Sequence, residues 1–307
     1  MQASASWCST TSRPVRLGSS AGASLVIGDV GDQLRVAALI AEHRVDAVIH
    51  FAASIVVPDS VRDPLGYYRN NTVNSWALIE SAVKGGVRHF IFSSSATVYG
   101  HPERVPVRED DATVPTSPYG SSKLMTEIML RDASSAHGLR HAILRYFNVA
   151  GADPLGRTGQ STKRATHHLV KASAETALGL RPKVDVFGTD YPTPDGTCIR
   201  DYIHVGDLVR AHSDALAYLR AGGESVTLNC GYGRGFSVLE VIETVKRVSG
   251  VDFKVAFAGR RAGDTAQIVA ASDRARSLLT WQTLFVDLQA SVGHALAWER
   301  KILARGS

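Results

Sequence analysis

The sequence has little cysteine, and what it has is scattered. The three cysteines among 307 residues, Cys8, Cys198 and Cys230, lie far apart and have no His or Cys neighbour at the spacing of metal ligands. An odd and dispersed set of this kind argues against a disulfide framework and against a zinc site. We therefore interpret the three side chains as free thiols and expect no metal.

Long apolar runs and blocks of like charge are also missing. No stretch approaches the roughly 18 uncharged residues of a membrane helix, and the start has no cationic segment followed by an apolar one. The formal net charge is +5, but Arg and Lys are mixed with acidic residues rather than gathered into a stripe. We therefore expect a cytoplasmic protein with no membrane and no nucleic-acid partner, and the positive excess fits a small phosphorylated ligand.

What the sequence does contain is an alternation of short apolar runs with longer amphipathic stretches, which is typical of a parallel sheet covered by helices. The predicted strands are LVIGD at 25–29, DAVIHFAA at 46–53, RHFIFSSS at 88–95 and HAILRYFN at 141–148. The predicted helices are Gln33–His43, Tyr67–Lys84 and Pro118–His137, the last two ending at glycines. The pattern predicts successive βαβ units.

Polar residues follow the predicted strands where each one ends. In an open parallel sheet, ligands bind beyond the carboxyl ends of the strands. We therefore expect His50–Ala53, Ser93–Ser95 and Tyr146–Asn148 to line one crevice. After residue 150 the rhythm breaks into polar and glycine-rich sequence, which predicts a first domain over 1–150, irregular over 1–23, and a smaller domain over 151–307 with some segments returning to the sheet.

The segment SPYGSSK at 117–123 carries the strongest chemical signal. Ser117 and Pro118 make a good helix start, which places Tyr119 and Lys123 one turn apart on one face. A tyrosine is a poor base at neutral pH, but a neighbouring ammonium favours its phenolate. Ser95, which leaves the preceding strand, could bond the same substrate oxygen. A Tyr and a Lys at this spacing also occur on ordinary surface helices.

The motifs SSSATVYG, SPYGSSK, RYFNVAGA and RDYIHVGDL occur in this order, and together the sequence resembles the extended short-chain dehydrogenase/reductases of the UDP-glucose 4-epimerase type. The resemblance spans nearly everything from Val26 to Arg300. It implies a Rossmann-like doubly wound α/β fold with a smaller C-terminal substrate domain. It also implies NAD as the cofactor and UDP-glucose and UDP-galactose as substrates, interconverted through a 4-keto intermediate.

By this resemblance, Tyr119 is the acid/base on the sugar 4-hydroxyl, Ser95 assists it, and Lys123 holds the nicotinamide ribose and tunes the tyrosine. Besides Tyr119 and Lys123, the expected cofactor-binding residues are Asp29, Val30, Phe51, Ala52, Ala53, Asn70 and Phe147. The expected contacts to the UDP-sugar are Ser95, Asn148, His168, Leu169, Phe187, Arg200, Arg261 and Asp264.

Several of these residues have a structural interpretation as well. Without the resemblance, Arg200 and Asp201 suggest a surface ion pair and Phe187 suggests a core position. Tyr202 and His204 are equally compatible with core aromatics, and we assign them no chemistry.

The sequence departs from the family at its start. Members begin with a strand, a glycine-rich turn that receives the NAD pyrophosphate, and an acidic residue for the adenosine ribose. Here Gly18, Gly22 and Gly28 lack the required spacing, so the fold is expected to lack its first βαβ elements. Codons for the segment WCSTTSRPV at 7–15, read with a shift of one base, can spell VVLDNLSTG, and we hypothesise a frame change. The alternative is a dedicated N-terminal variant of the fold.

Three further replacements concern the ligands. Ile55 stands where many epimerases place a lysine near the cofactor phosphates, His167 and His168 replace an amide pair near the uracil, and Ile268 replaces a bulky tyrosine in the sugar pocket. We therefore expect weaker NAD binding, and the last change could admit N-acetylated sugars.

Three functions remain open at this level. The first is an NAD-dependent epimerase, an isomerase. The second is a nucleotide-sugar dehydratase, which the Ala96-Thr97 pair disfavours because dehydratases carry two acids there. The third is a catalytically impaired UDP-sugar-binding fragment. By resemblance we also expect a homodimer that forms through the helices at 67–84 and 118–137.

Overall fold

The structure is a computed structural model that describes residues 8–9, 25–160, 168–261 and 263–306. His167 and most of the irregular segment predicted at 1–23 lie outside these residues. The described strands are β1 (Cys8–Ser9), β2 (Ile27–Gly28), β3 (Ala47–His50), β4 (His89–Ser95), β5 (Arg140–Tyr146), β6 (Asn148–Ala150), β7 (Val184–Phe187), β8 (Ile199–His204), β9 (Val226–Cys230), β10 (Gly235–Ser237), β11 (Val255–Ala258) and β12 (Gln267–Ile268).

The α-helices and two other helical turns complete the described secondary structure. They are α1 (Gln33–His43), α2 (Val57–Arg62), α3 (Pro64–Tyr67), a π-helical turn (Tyr68–Val73), α4 (Asn74–Lys84), a 3₁₀ turn (Ala96–Tyr99), α5 (Pro118–His137), α6 (Leu169–Ala177), α7 (Val205–Arg220), α8 (Val238–Ser249), α9 (Asp273–Leu279) and α10 (Leu288–Gly306). Within the described residues, no helix is both long and apolar enough to cross a membrane.

The chain divides into two compact units. Unit 1 holds the described residues up to Gly100 together with Thr113–Arg145 and Ala215–Leu228. Unit 2 holds His101–Ala112, Tyr146–Asp214 and the described residues from Asn229 onwards. The domain limits inferred from the sequence stay a prediction.

Unit 1 is built on a sheet with the strand order β3-β4-β5-β9. β3 and β4 run parallel, with Ala47 opposite His89 and His50 opposite Phe92. All seven residues of β4 are buried, as expected for a strand covered on both faces. Phe90, Phe92, Leu130 and Ile143 belong to one apolar cluster between the sheet and its helices.

Helix α5 has the limits that its sequence predicts. The Ser117 side chain accepts a hydrogen bond from the Gly120 N–H at 3.2 Å, and Pro118 occupies the first turn. Gly138 ends the helix with a φ of 71°, a left-handed conformation that glycine adopts at little cost. These two caps fix where Tyr119 stands on the helix.

Four predicted elements differ from the structure. The strand predicted at 46–53 ends at His50, the last residue of β3. The strand predicted at 25–29 is limited to β2, which pairs with the two-residue β1 instead of joining the four-stranded sheet of the described residues. The helix predicted at 67–84 begins at Pro64, because Asp63 caps it through the Gly66 N–H, and it passes through the π-helical turn. The strand predicted at 141–148 is interrupted at Phe147, which separates β5 from β6.

Unit 2 is organised around β8. This strand pairs antiparallel with β10 and parallel with β12 and β6, while β7 and β11 form a separate parallel pair. Helices α6, α8 and α10 contribute to its apolar core, which includes Val170, Val241 and Val292. Cys198 and Cys230 are buried free thiols.

The core of unit 1 supplies a stability test. Ile143 is fully buried in the apolar cluster, so Ile143→Ala should lower the free energy of unfolding by about 2–5 kcal/mol, because it leaves a cavity. Leu34 is 88% exposed, and the matched change Leu34→Ala should alter it by less than about 0.5 kcal/mol. Urea titration measures both values, and equal effects would contradict this description of the core.

Candidate active site

The carboxyl end of β4 presents Ser95 as a hydrogen-bond donor. Ser95 begins the 3₁₀ turn, and its hydroxyl oxygen accepts from the Thr97 N–H at 3.2 Å and from the Thr97 hydroxyl at 3.0 Å. A serine hydroxyl has two acceptor positions and one proton. Since Thr97 fills both acceptor positions, Ser95 is prepared to donate its own proton to a ligand oxygen.

Helix α5 lies close to this turn because residue 120 is glycine. A Cβ atom at Gly120 would stand 2.7 Å from the carbonyl oxygen of Thr97, too close for any other residue. The close approach brings the first turn of α5, which carries Tyr119, against the strand end that carries Ser95.

Lys123 is a buried cation of unit 1. Only 4% of it is exposed, and its Nζ donates to the carbonyl oxygen of Ser93 at 2.8 Å. The same Nζ lies 4.9 Å from the ring centre of Phe92 and 6.0 Å from that of Tyr119. Tyr119 is itself 8% exposed. The predicted tyrosine–lysine pair is therefore buried at the sheet and is not on a solvated helix face.

The surroundings of Lys123 control its charge. Burial lowers the pKa of Lys123 to about 7, and the nearby carboxylate of Glu127 opposes this change. Burial and the Lys123 charge together lower the pKa of His50 to about 3, so this histidine is neutral at physiological pH. Its Nε2 lies 2.8 Å from the Ser75 hydroxyl. A cation this close to a phenol favours the phenolate, and this is the chemistry that a tyrosine base requires.

Four of the residues predicted to bind the cofactor lie in the loop after β3 or beside it, namely Phe51, Ala52, Ala53 and Asn70. Phe51 is 56% exposed and begins this loop. Asn70, in the π-helical turn, donates to the Ser54 hydroxyl at 3.0 Å. The neighbouring Asn71 side chain accepts from the Ser54 N–H at 2.7 Å and donates to the Ser54 carbonyl at 2.9 Å. The loop is thus fixed to the π-helical turn, a conformation common at functional sites.

These residues fit the nicotinamide half of NAD. Lys123 offers an ammonium with three donors, Asn70 an amide, and Phe51 an apolar ring. Asp29, predicted beside the adenine, accepts from the Gly31 N–H at 2.8 Å and from the Asn74 amide at 3.0 Å. No turn with the spacing G-x-G-x-x-G between a strand and a helix occurs in the described ranges, so we assign no residue to the pyrophosphate.

In unit 2 the structure brings four predicted substrate residues together. Asp264 accepts from Arg261 Nε at 3.0 Å, and its other oxygen lies 3.9 Å from Arg200 Nη2. The guanidinium of Arg261 stands over the Phe187 ring at 4.6 Å. Two forked donors beside an aromatic face suit a diphosphate attached to a planar base.

The positions of the other predicted residues of unit 2 do not by themselves indicate a ligand. Asn148 is exposed at the start of β6, opposite Tyr202. His168 precedes α6, and Leu169 begins that helix and packs against the core of unit 2. Phe147 is buried. The contacts of these residues with ligands stay predictions.

The interpretation of Arg200 and Asp201 as a surface ion pair is wrong. Successive residues of a strand face opposite sides. Asp201 is therefore fully buried, where it accepts from the N–H groups of Tyr232, Gly233 and Ala270, while Arg200 faces Asp264. Tyr202 belongs to the core cluster, in agreement with the structural interpretation.

Sequence reasoning missed three residues that support the site of unit 1. They are Asn71, which also donates to the Ser122 hydroxyl at 3.0 Å, Thr97, which orients Ser95, and the buried Glu127. A signal existed for Glu127 alone, because it stands four residues after Lys123 on the same helix face.

Comparison with known proteins identifies relatives that match most of this chain. The profile of a family described as the NAD dependent epimerase/dehydratase family matches residues 3–231. A UDP-glucose 4-epimerase of Azospirillum brasilense is 57% identical over 282 residues, which is 92% of this chain and 81% of that protein.

Two solved structures are similar as well. One is a UDP-glucose 4-epimerase of Stenotrophomonas maltophila with bound NAD and formylated UDP-arabinopyranose, at a TM-score of 0.89 and 41% identity, covering 93% of this chain and 85% of that one. The other is a UDP-Glc/GlcNAc 4-epimerase of Campylobacter jejuni, at a TM-score of 0.79 and 48% identity, covering 92% and 86%. The predicted Rossmann-like α/β fold is thereby confirmed, and the chain belongs to the NAD dependent epimerase/dehydratase family.

Proposed function

We propose that this chain is an NAD-dependent UDP-glucose 4-epimerase, which interconverts UDP-glucose and UDP-galactose through a 4-keto sugar. The observation that carries the proposal is the buried group of Tyr119, Lys123 and Ser95 at the end of β4. The names of its relatives support the same activity. We also propose that the enzyme is cytoplasmic.

The chain's own groups account for the proton transfer. The Lys123 ammonium stabilises the Tyr119 phenolate, which takes the proton from the hydroxyl at C4 of the hexose and later returns it. Ser95 donates its proton to the same oxygen, since both of its acceptor positions are filled by Thr97. Bound NAD would supply the redox chemistry at C4.

The cofactor and the substrate would be held by different kinds of residue. Lys123, Asn70 and Phe51 would hold the nicotinamide half of NAD. Arg200 and Arg261 would bind the diphosphate of the UDP-sugar, with Phe187 against the uracil. Fixed polar contacts to the nucleotide leave the hexose able to present either face to the same base, as a 4-epimerisation requires.

One observation favours a second candidate, a UDP-sugar-binding protein without epimerase activity. The described residues contain no G-x-G-x-x-G turn for the NAD pyrophosphate, while Arg200, Asp264 and Arg261 lie together. An epimerase should convert UDP-galactose in a coupled assay with added NAD, whereas the binder should bind UDP-sugar and convert none.

Replacing the tyrosine tests the proposed base. Tyr119→Phe removes only the hydroxyl and should lower kcat by about 10²–10⁴-fold with little change in KM, because proton transfer to a positioned base is lost. Tyr218→Phe, which removes a hydroxyl from α7, is the matched control and should keep the full rate. A Tyr119→Phe variant as fast as the parent chain would exclude this tyrosine as the base.

The amount of retained NAD tests cofactor binding. Because no pyrophosphate anchor is present among the described residues, the purified chain should release less than one equivalent of NAD on denaturation, and its activity should rise with added NAD. Absorbance at the nicotinamide wavelength after enzymatic reduction measures the released cofactor. If one full equivalent of NAD stayed bound through gel filtration, this prediction would be wrong, and the contacts to the nicotinamide half would suffice for tight binding.

Exposed apolar side chains on α4 and α5 support a homodimer. Trp76, Met125 and Ile128 are each more than 40% exposed. Thr72, in the π-helical turn that precedes α4, lies 3.9 Å from the Met125 sulfur, so this turn contacts α5. Exposed apolar groups on neighbouring helices are typical of an interface.

A charge placed on that surface tests the dimer. Trp76→Glu should weaken association by at least about tenfold, because aromatic residues dominate such interfaces. Sedimentation equilibrium measures the effect. Leu155→Glu changes an apolar residue that is 73% exposed elsewhere and should leave association unchanged. A monomeric parent chain, or equal effects of both variants, would refute this interface.

A further inference from the structure

Glu127 is a buried carboxylate that the proposed proton transfer does not use. It stands on α5 one turn beyond Lys123 and is fully buried. Its Oε1 accepts from the Ser94 hydroxyl at 2.5 Å and from Arg145 Nε at 2.9 Å. Its Oε2 accepts from Arg145 Nη2 at 2.6 Å and lies 3.4 Å from Arg131 Nη1. A buried charge with this many partners is costly to build.

The partners of Glu127 belong to the elements that carry the catalytic group. In β4, the Ser93 carbonyl holds Lys123 while the hydroxyl of the next residue, Ser94, holds Glu127. The end of β4 therefore forms hydrogen bonds with two successive turns of α5. From β5, Arg145 also donates to the Tyr99 hydroxyl at 3.0 Å, and Tyr99 ends the 3₁₀ turn that Ser95 begins.

We infer that Glu127 is a positioning residue whose carboxylate locks α5 against β4 and β5 and keeps Lys123 a cation beside Tyr119. The inference rests on the proposed function, because Lys123 and Tyr119 matter for epimerisation. The contacts themselves are independent of that function.

The charges around Lys123 explain why one carboxylate has this effect. Lys123 is faced by Glu127 and Tyr119 from α5, by the neutral His50 from β3, and by the Phe92 ring and the Ser93 carbonyl from β4. Within this set, Glu127 carries the negative charge. Burial lowers the pKa of Lys123 and Glu127 raises it, so loss of the carboxylate shifts Lys123 towards its neutral form.

The test uses the phenol of Tyr119 as a reporter, without cofactor or substrate. The ultraviolet difference titration between a protein and the same protein carrying Tyr119→Phe gives the pH at which Tyr119 ionises. Glu127→Gln keeps an acceptor for Ser94 but removes the charge. The midpoint should rise by about one pH unit, because a less protonated Lys123 supports the phenolate less.

Kinetics supply a second readout. Lys123 must be charged for the phenolate to persist, so activity falls as pH rises through its titration. With Glu127→Gln, this alkaline fall in kcat should move to lower pH by about one unit. KM for the UDP-sugar should change little, since the partners of Glu127 named above all belong to unit 1.

Two further variants separate positioning from stability. Glu299→Gln makes the same change in the buried Lys171–Glu299 pair of unit 2, whose atoms are 2.5 Å apart, and should leave the Tyr119 midpoint unchanged. The double variant Glu127→Leu with Arg145→Met removes both members of the pair, so that no unpaired charge burdens the fold. This double variant should still show the raised midpoint of Tyr119 ionisation. If Glu127→Gln does not fold, the double variant tests whether Glu127 is a positioning residue.

The outcomes distinguish this inference from the proposed function. If the Glu127 variants titrate like the parent chain, or if Glu299→Gln shifts the midpoint equally, Glu127 is not a positioning residue. If the midpoint shifts as expected but the parent chain with added NAD converts no UDP-galactose, the positioning role holds and the proposed epimerase activity fails.

Discussion

Unit 1 depends on holding one ammonium group away from water. Lys123 is buried against a backbone carbonyl and an aromatic ring, and burial without compensation would neutralise it. The Ser93 carbonyl, the face of Phe92 and the charge of Glu127 supply that compensation. A buried lysine that stays charged is what a neighbouring tyrosine needs in order to work as a base near neutral pH.

Much of the surrounding structure can be understood as support for this arrangement. The cap at Ser117 sets the start of α5, and Gly120 lets the helix approach the turn after β4. Thr97 occupies the acceptor positions of Ser95, which directs its proton outward. In unit 2, Asp264 lies between two arginines beside Phe187, and we propose that this cluster binds the diphosphate.

The sequence predicted the local part of this description and missed the part that depends on distant residues. The limits of α5 and the pairing of Tyr119 with Lys123 follow from cap residues and helical spacing, which are local signals. The Glu127–Arg145 pair joins residues 18 positions apart through the register of β5 against α5, which no local pattern encodes. The surface ion pair predicted for Asp201 was wrong for the same reason. Its three backbone partners come from other segments of the chain.

Strand lengths show a similar limit. An apolar run such as 25–29 has the composition of a strand, but a ladder extends only as far as its partner, and β2 has a partner two residues long. The family motifs supplied what local patterns could not, namely predicted roles for the arginines and for Phe187. These roles stay predictions by resemblance, and the clustering of the side chains in unit 2 is compatible with them.

The most direct test of the account is the titration of Lys123 itself. In protein labelled with ¹⁵N at lysine Nζ, the resonance absent from a Lys123→Met variant reports this one group. The account predicts a midpoint near 7, well below the ordinary value of 10.5. A midpoint close to 10.5 would mean that Lys123 is a solvated cation like any other, which would contradict the buried tyrosine–lysine pair on which the account rests.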